Sequence, residues 1–172
     1  NQELTARWEA GMIEYTVYYW LQNIGGGTAD ENYTLIKTVN GTAYTDSTVT
    51  PEVLTYEGFT APAAQTFTVD PDKTKNVVVY KYTRNTYTLA WDLGIGSADS
   101  QSYTSGTVYY GAPVTAPVPA KTGYTFVWDA APAVTMPAGD RTYTALWTAN
   151  TYTVSFNTNG GTVAEGDAAD RT

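Results

Sequence analysis

The chain has 172 residues and a net charge of −8, from 9 basic and 17 acidic side chains, and it contains neither Cys nor His. This excludes disulfides, thiolate or imidazole catalysis and zinc sites of the usual nitrogen and sulfur type; an acidic chain also lacks the cationic footprint that nucleic acid or an anionic membrane surface requires. Thr, Tyr and Val number 31, 15 and 15, a composition suited to pleated, half-buried strands, and no apolar run approaches the ~20 residues of a spanning helix.

Internal repetition organises the chain. Asn85-Thr86-Tyr87-Thr88 recurs 65 residues later as Asn150-Thr151-Tyr152-Thr153. The same offset joins Gly41-Thr42 to Gly106-Thr107, Val49-Thr50 to Val114-Thr115, and Gly58-Phe59-Thr60 to Gly123-Tyr124-Thr125. In chain order, residues 1–12 read as the tail of one repeat, because Leu4-Thr5-Ala6-Arg7-Trp8 resembles the closing strand Tyr143-Thr144-Ala145-Leu146-Trp147.

Unit A covers 13–84. Its opening strand carries Tyr15, Val17, Tyr19 and Leu21 on one side, and its closing strand is Val77 to Tyr82. Tyr15-Thr16-Val17 matches Tyr87-Thr88-Leu89 at an offset of 72, so unit A holds 7 extra residues between Leu21 and Gly41. A surface loop at Gly25 to Asn32 takes such an insertion at little entropic cost.

Unit B covers 85–149. Tyr87, Leu89, Trp91 and Leu93 alternate with smaller or polar residues, the period of a half-buried strand. Gly94-Ile95-Gly96-Ser97 turns the chain into a second strand, Tyr103 to Tyr110. Gly111 to Lys121, with Pro113, Pro117 and Pro119, is a crossover with at most one short helical turn. Gly123 to Trp128 and Arg141 to Thr148 are the third and closing strands. Residues 150–172 read as the head of a following repeat, with a hairpin turn at Asn159-Gly160-Gly161, where Asn and Gly tolerate positive φ. The incomplete ends fit a window from a longer array or a protomer completed by its neighbours. No signal-peptide pattern opens the chain, so an export signal is expected outside this stretch.

Chemistry-bearing residues are few. Asp70-Pro71-Asp72-Lys73 has the composition of a turn, and Asp30-Glu31, Glu165, Asp167 and Asp170 read as solvated loop charges, not as a glycosidase pair or a calcium loop. No cofactor, metal site or catalytic residue is expected, and the chain is not expected to be an enzyme. Lys37, Lys81 and Asn85 are the conceivable members of a Lys–Asn crosslink.

Most aromatics recur at matched core positions: Tyr15/Tyr87/Tyr152, Tyr19/Trp91/Phe156, Phe59/Tyr124 and Trp8/Tyr82/Trp147. Tyr18 and Trp20 differ. They point away from that core, and unit B has Ala90 and Asp92 in their places. Flat rings with a polar tip favour binding, so Tyr18 and Trp20 are the candidate ligand-binding residues. The alternative is that they pack under the insertion or against a neighbouring unit.

The pattern Tyr152-Thr153-Val154, Phe156, Asn159-Gly160-Gly161-Thr162, with Gly123-Tyr124-Thr125-Phe126, Trp128 and Tyr143-Thr144-Ala145-Leu146-Trp147, resembles the Listeria–Bacteroides (internalin B-type) repeat. Unit A, from Tyr15-Thr16-Val17-Tyr18-Tyr19 through Gly58-Phe59 to Val77-Val78-Val79-Tyr80, is also similar to mucin-binding-protein (MucBP) repeats. The resemblance implies a mainly β fold of tandem, small β-grasp-like units in an extended array. It further implies an extracellular or cell-surface bacterial protein. The function expected is a non-enzymatic adhesin segment acting as a stalk, with neighbouring repeats and a host glycan or surface protein as partners. A glycan- or mucin-binding module, an accessory module of a surface glycoside hydrolase, and a strand-donating fibre subunit are the alternatives.

Overall fold

The computed structural model describes residues 3–5, 7, 9–94, 106–155, 157, 159–161 and 170–171. The fold is mainly β. Two compact units form: the first from Asn1–Leu89, Gly106–Val114 and Ala133–Arg141, the second from Ala90–Ser105, Thr115–Pro132 and Thr142–Thr172.

In the first unit, β1 (Met12–Gln22) pairs antiparallel with β2 (Tyr33–Tyr44) and parallel with β6 (Val77–Arg84). The two-residue strand β4 (Phe59–Thr60) lies on the far side of β6, giving the order β2-β1-β6-β4. Short strands β3 (Thr48–Val49) and β5 (Phe67–Thr68) pair with each other. Alternation on β1 buries Val17 and Tyr19, and β6 buries Val78, Tyr80 and Tyr82 against them. A parallel connection needs a long crossover, supplied here by residues 45–76.

Much of that crossover is irregular, and tyrosine hydroxyls hold it. Tyr80 Oη donates to the carbonyl of Pro51 at 2.9 Å, Tyr19 Oη to Glu52 at 2.8 Å and Tyr82 Oη to Leu54 at 2.8 Å. Tyr56 closes the cluster edge-on to Tyr82, with ring centroids 4.9 Å apart. A second polar anchor is the buried Asn76. Its Oδ1 accepts from Asp70 N–H at 2.8 Å, and its Nδ2 donates to the Asp70 carbonyl at 2.9 Å.

Burial makes the phenolates of this core costly. It pushes the Tyr82 pKa up to about 12, and it also raises Tyr19 and Tyr56 above the ordinary value. A pKa raised on folding gives stability that is complete below the unfolded value near 10 and is lost as pH climbs through the folded value. Denaturant unfolding is therefore expected to weaken from about pH 10 to pH 12, with Tyr82 alone accounting for on the order of 2 kcal/mol. Tyr82→Phe should flatten that part of the slope; an unchanged slope would contradict the assignment.

The strands β7 (Thr86–Asp92), β8 (Gly106–Tyr109), β9 (Tyr124–Trp128) and β10 (Arg141–Ala149) follow the order β8-β7-β10-β9. In the first unit, Thr86 to Leu89 pair antiparallel with Tyr109 to Gly106. In the second, β9 and β10 pair antiparallel, and Trp91 stacks on Tyr143 at 5.0 Å and meets Trp128 at 5.1 Å. Further on, β11 (Val154–Ser155) pairs with β12 (Asp170–Arg171).

Backbone geometry recurs at the 65-residue spacing. Phe59 pairs with Arg84 and Thr60 with Thr83; Tyr124 pairs with Ala149 and Thr125 with Thr148. Asn85 N–H donates to Gly58 O at 2.9 Å, and Asn150 N–H to Gly123 O at 2.8 Å. The hairpins differ by two residues: Gly41 faces Tyr15, whereas Val108 faces Tyr87. An even shift keeps every side chain on its own face.

Several expectations gain detail. The stretch expected to hold the insertion is a loop ending in a 3₁₀ turn, Asp30–Asn32, and a bulge interrupts the β1–β2 ladder between Tyr19 and Trp20. The closing strand of unit A runs on to Arg84. The closing-strand match at Leu4 to Trp8 is not seen as a strand in residues 3–5 and 7, where Leu4 stands 96% exposed; Ala6 and Trp8 lie outside the described residues. The turn beyond Gly94, the start of the strand from Tyr103, and Glu165 and Asp167 also lie outside them. Asn159 and Gly160 both adopt positive φ, as the turn there requires.

Candidate functional site

Tyr18 and Trp20 sit together on the face of β1 opposite the buried Val17 and Tyr19. Parallel pairing sets Thr16 beside Val77, Tyr18 beside Val79 and Trp20 beside Lys81. On the other side, Tyr18 faces Thr38 and Thr16 faces Asn40, with Thr16 Oγ1 donating to Asn40 Oδ1 at 3.1 Å. Beyond the bulge Trp20 faces Leu35. The bulge matters because it restores Leu35 to the same face after one unpaired residue.

The result is a groove of about 200 Å³ lined by Tyr18, Trp20, Asp30, Val77, Val79 and Lys81. Its floor is apolar yet accessible, with Val77 43% and Val79 36% exposed. One end is charged: Lys81 Nζ pairs with the Asp30 carboxylate and lies 5.2 Å from the centroid of the Tyr33 ring. A neighbouring groove of about 280 Å³ is more polar, lined by Glu14, Thr16, Tyr18, Asn40, Lys73, Thr74 and Val77. Tyr18 belongs to both. The arrangement offers flat apolar rings bordered by hydroxyl, amide and ionic groups, a surface for binding.

Asp30 opens the 3₁₀ turn just before β2, so the loop joining β1 to β2 supplies one wall. Sequence reading selects Tyr18 and Trp20 but misses Asp30, Val77, Val79 and Lys81. Nothing local to those four signals the groove; the parallel β1–β6 register brings Val77, Val79 and Lys81 there, and the turn before β2 brings Asp30.

Other singled-out residues have local roles. Asp70 Oδ1 accepts from Asp72 N–H at 2.8 Å, and Asp72 Oδ1 caps the following 3₁₀ turn, accepting from Thr74 N–H and Oγ1. The hydroxyl and amide of Thr74 hold the Asp72 carboxyl below its ordinary value. Asn85 Oδ1 accepts from Thr60 Oγ1 at 2.6 Å, while Lys81 is engaged by Asp30, so these two crosslink candidates are occupied elsewhere. Among the described residues no group of three acidic side chains is placed to hold a metal ion, and no helix is long and apolar enough to cross a membrane.

No family model matches the chain, and no curated protein matches it.

Proposed function

We propose that this chain is a non-enzymatic repeat segment of a bacterial surface or secreted adhesin, in which tandem β-grasp-like units act as a load-bearing spacer. The observation that carries the reading is the parallel pairing of β1 with β6, from Thr16 with Val77 to Leu21 with Tyr82. These are the first and last strands of unit A. Tension entering at the start of β1 and leaving at the end of β6 slides the two strands past each other. All the ladder bonds then bear load together. An antiparallel hairpin pulled at its open ends instead unzips one bond pair at a time. The 65-residue recurrence of pairing and turn geometry supports the tandem part of the reading, and the motif resemblance supports the surface location.

The load-bearing role has a directional test. Because the chain has no Cys, introduced thiols are unique attachment points. Stretching between Gly11→Cys and Thr86→Cys should require a higher force than stretching between Gly11→Cys and Tyr44→Cys. Equal forces would contradict the shear geometry.

A second reading, a glycan-binding module, is favoured by one observation: the accessible ring-lined groove at Tyr18 and Trp20. Sugars present apolar C–H faces that stack on such rings and hydroxyls that meet the bordering polar groups. On this reading, replacing both residues by alanine should weaken binding to a mucin-coated surface at least tenfold, a loss of ~1.4 kcal/mol or more. Circular dichroism should remain unchanged. Undiminished binding by the folded variant would remove this reading and leave the spacer role standing.

A further inference from the structure

We propose that the surface around Gly123 and Tyr124 is a seat for the tyrosine-bearing turn after β8 of another repeat of this kind. The inference rests on the tandem reading above and adds the residues through which one repeat would hold the next.

The template lies in the first unit. The turn after β8 lays Tyr110 on Gly58, where an added Cβ would run into the ring. The same ring meets Phe59 edge-on, with centroids 6.0 Å apart. Tyr110 N–H donates to the Asn85 carbonyl at 2.9 Å. Arg84 Nη1 donates to the Tyr110 carbonyl at 2.8 Å, while its guanidinium lies 4.6 Å over the Phe59 ring. A bare α-carbon, an aromatic ring, a cation and a linker carbonyl together make the seat.

The second unit carries a counterpart of each. Gly123 has φ +79°, beside +75° at Gly58. Tyr124 takes the strand position of Phe59, and Asn150 bonds Gly123 as Asn85 bonds Gly58. Lys121 replaces the arginine as the cation, its Nζ 4.0 Å from the Tyr124 ring centroid. Among the described residues no tyrosine covers this copy: a Cβ at Gly123 would meet nothing within 4 Å, and Tyr124 is 39% exposed. The adjoining groove of about 560 Å³ is lined by Pro119, Lys121, Phe126 and Trp147, among others. A Tyr-Gly turn supplies what is missing. Its ring would cover the glycine, its N–H would reach the Asn150 carbonyl, and its carbonyl would accept from Lys121.

The test adds a cyclised hairpin peptide reproducing residues 106–114 to the full chain and follows amide and indole resonances. Saturable shifts are expected at Gly123, Tyr124, Asn150 and the Trp147 indole. They should disappear with a hairpin carrying Tyr110→Ala and weaken in the Lys121→Ala protein. No saturable shift at millimolar peptide, or equal shifts from the alanine hairpin, would overturn the proposal. Gly58→Val separates the two possible failures. If that change unseats Tyr110 while the hairpin leaves Gly123 unmoved, the seat is lost and the tandem reading survives. If Tyr110 stays in place, the template fails as well.

Discussion

Tyr80→Ala is expected to destabilise the first sheet by about 3–5 kcal/mol, the range for truncating a buried aromatic. Tyr80 is fully buried in β6, and its ring lies 5.7 Å from that of Tyr19. Its hydroxyl also joins two parts of the crossover, donating to Pro51 O at 2.9 Å and accepting from Gln65 N–H at 3.2 Å. Tyr80→Phe keeps the ring but strands the Pro51 carbonyl, so it should cost only about 1–3 kcal/mol. Hydrogen exchange resolved by residue separates the outcomes. Protection should fall along β1 and β6 and persist at the β9–β10 ladder. Equal losses from Phe and Ala would show that the hydroxyl contacts, not the packing, dominate.

Gly58→Val should cost about 3 kcal/mol or more, and its comparison with Gly123→Val is more informative than either value alone. Both glycines have positive φ, so each substitution carries a backbone penalty of ~1–3 kcal/mol. Only at Gly58 does the new side chain strike a ring, that of Tyr110. Displacing a packed group adds roughly 1–3 kcal/mol. Denaturant titration of the two variants should therefore show the larger loss for Gly58→Val by that margin. Equal losses would mean that Tyr110 is not held on Gly58.

Much of this fold is legible in the sequence, for physical reasons. Alternation at Tyr15, Val17 and Tyr19 marks a face to be buried, which also places Tyr18 and Trp20 on the opposite face. The 65-residue spacing identifies matching turns, because a glycine at positive φ and the strand after it impose local constraints wherever they occur. Non-local pairing leaves no such mark. The parallel register that sets Val79 and Lys81 beside Tyr18 and Trp20 joins residues about 60 positions apart. The carbonyl partners of Tyr19, Tyr80 and Tyr82 lie in an aperiodic segment, so a pattern search finds the tyrosines and not what they hold. The two-residue change in hairpin register is silent because side chains repeat with period two. Asp30 reads as an ordinary loop charge until the turn before β2 brings it to Lys81.

Residues matched by the repeat spacing also differ in their hydroxyl groups. The tyrosine positions 19, 80 and 82 correspond to Trp91, Ala145 and Trp147, which lack phenolic hydroxyls. The Trp147 indole N–H donates instead to Leu93 O at 2.7 Å, outside the matching crossover.

Stretching single molecules from end to end tests the central claim most directly. Separate load-bearing repeats should give two force peaks, the weaker from unit B. Each should release a contour of roughly 230–260 Å at ~3.6 Å per residue. A single rupture releasing the whole length, or extension without a peak, would contradict the account.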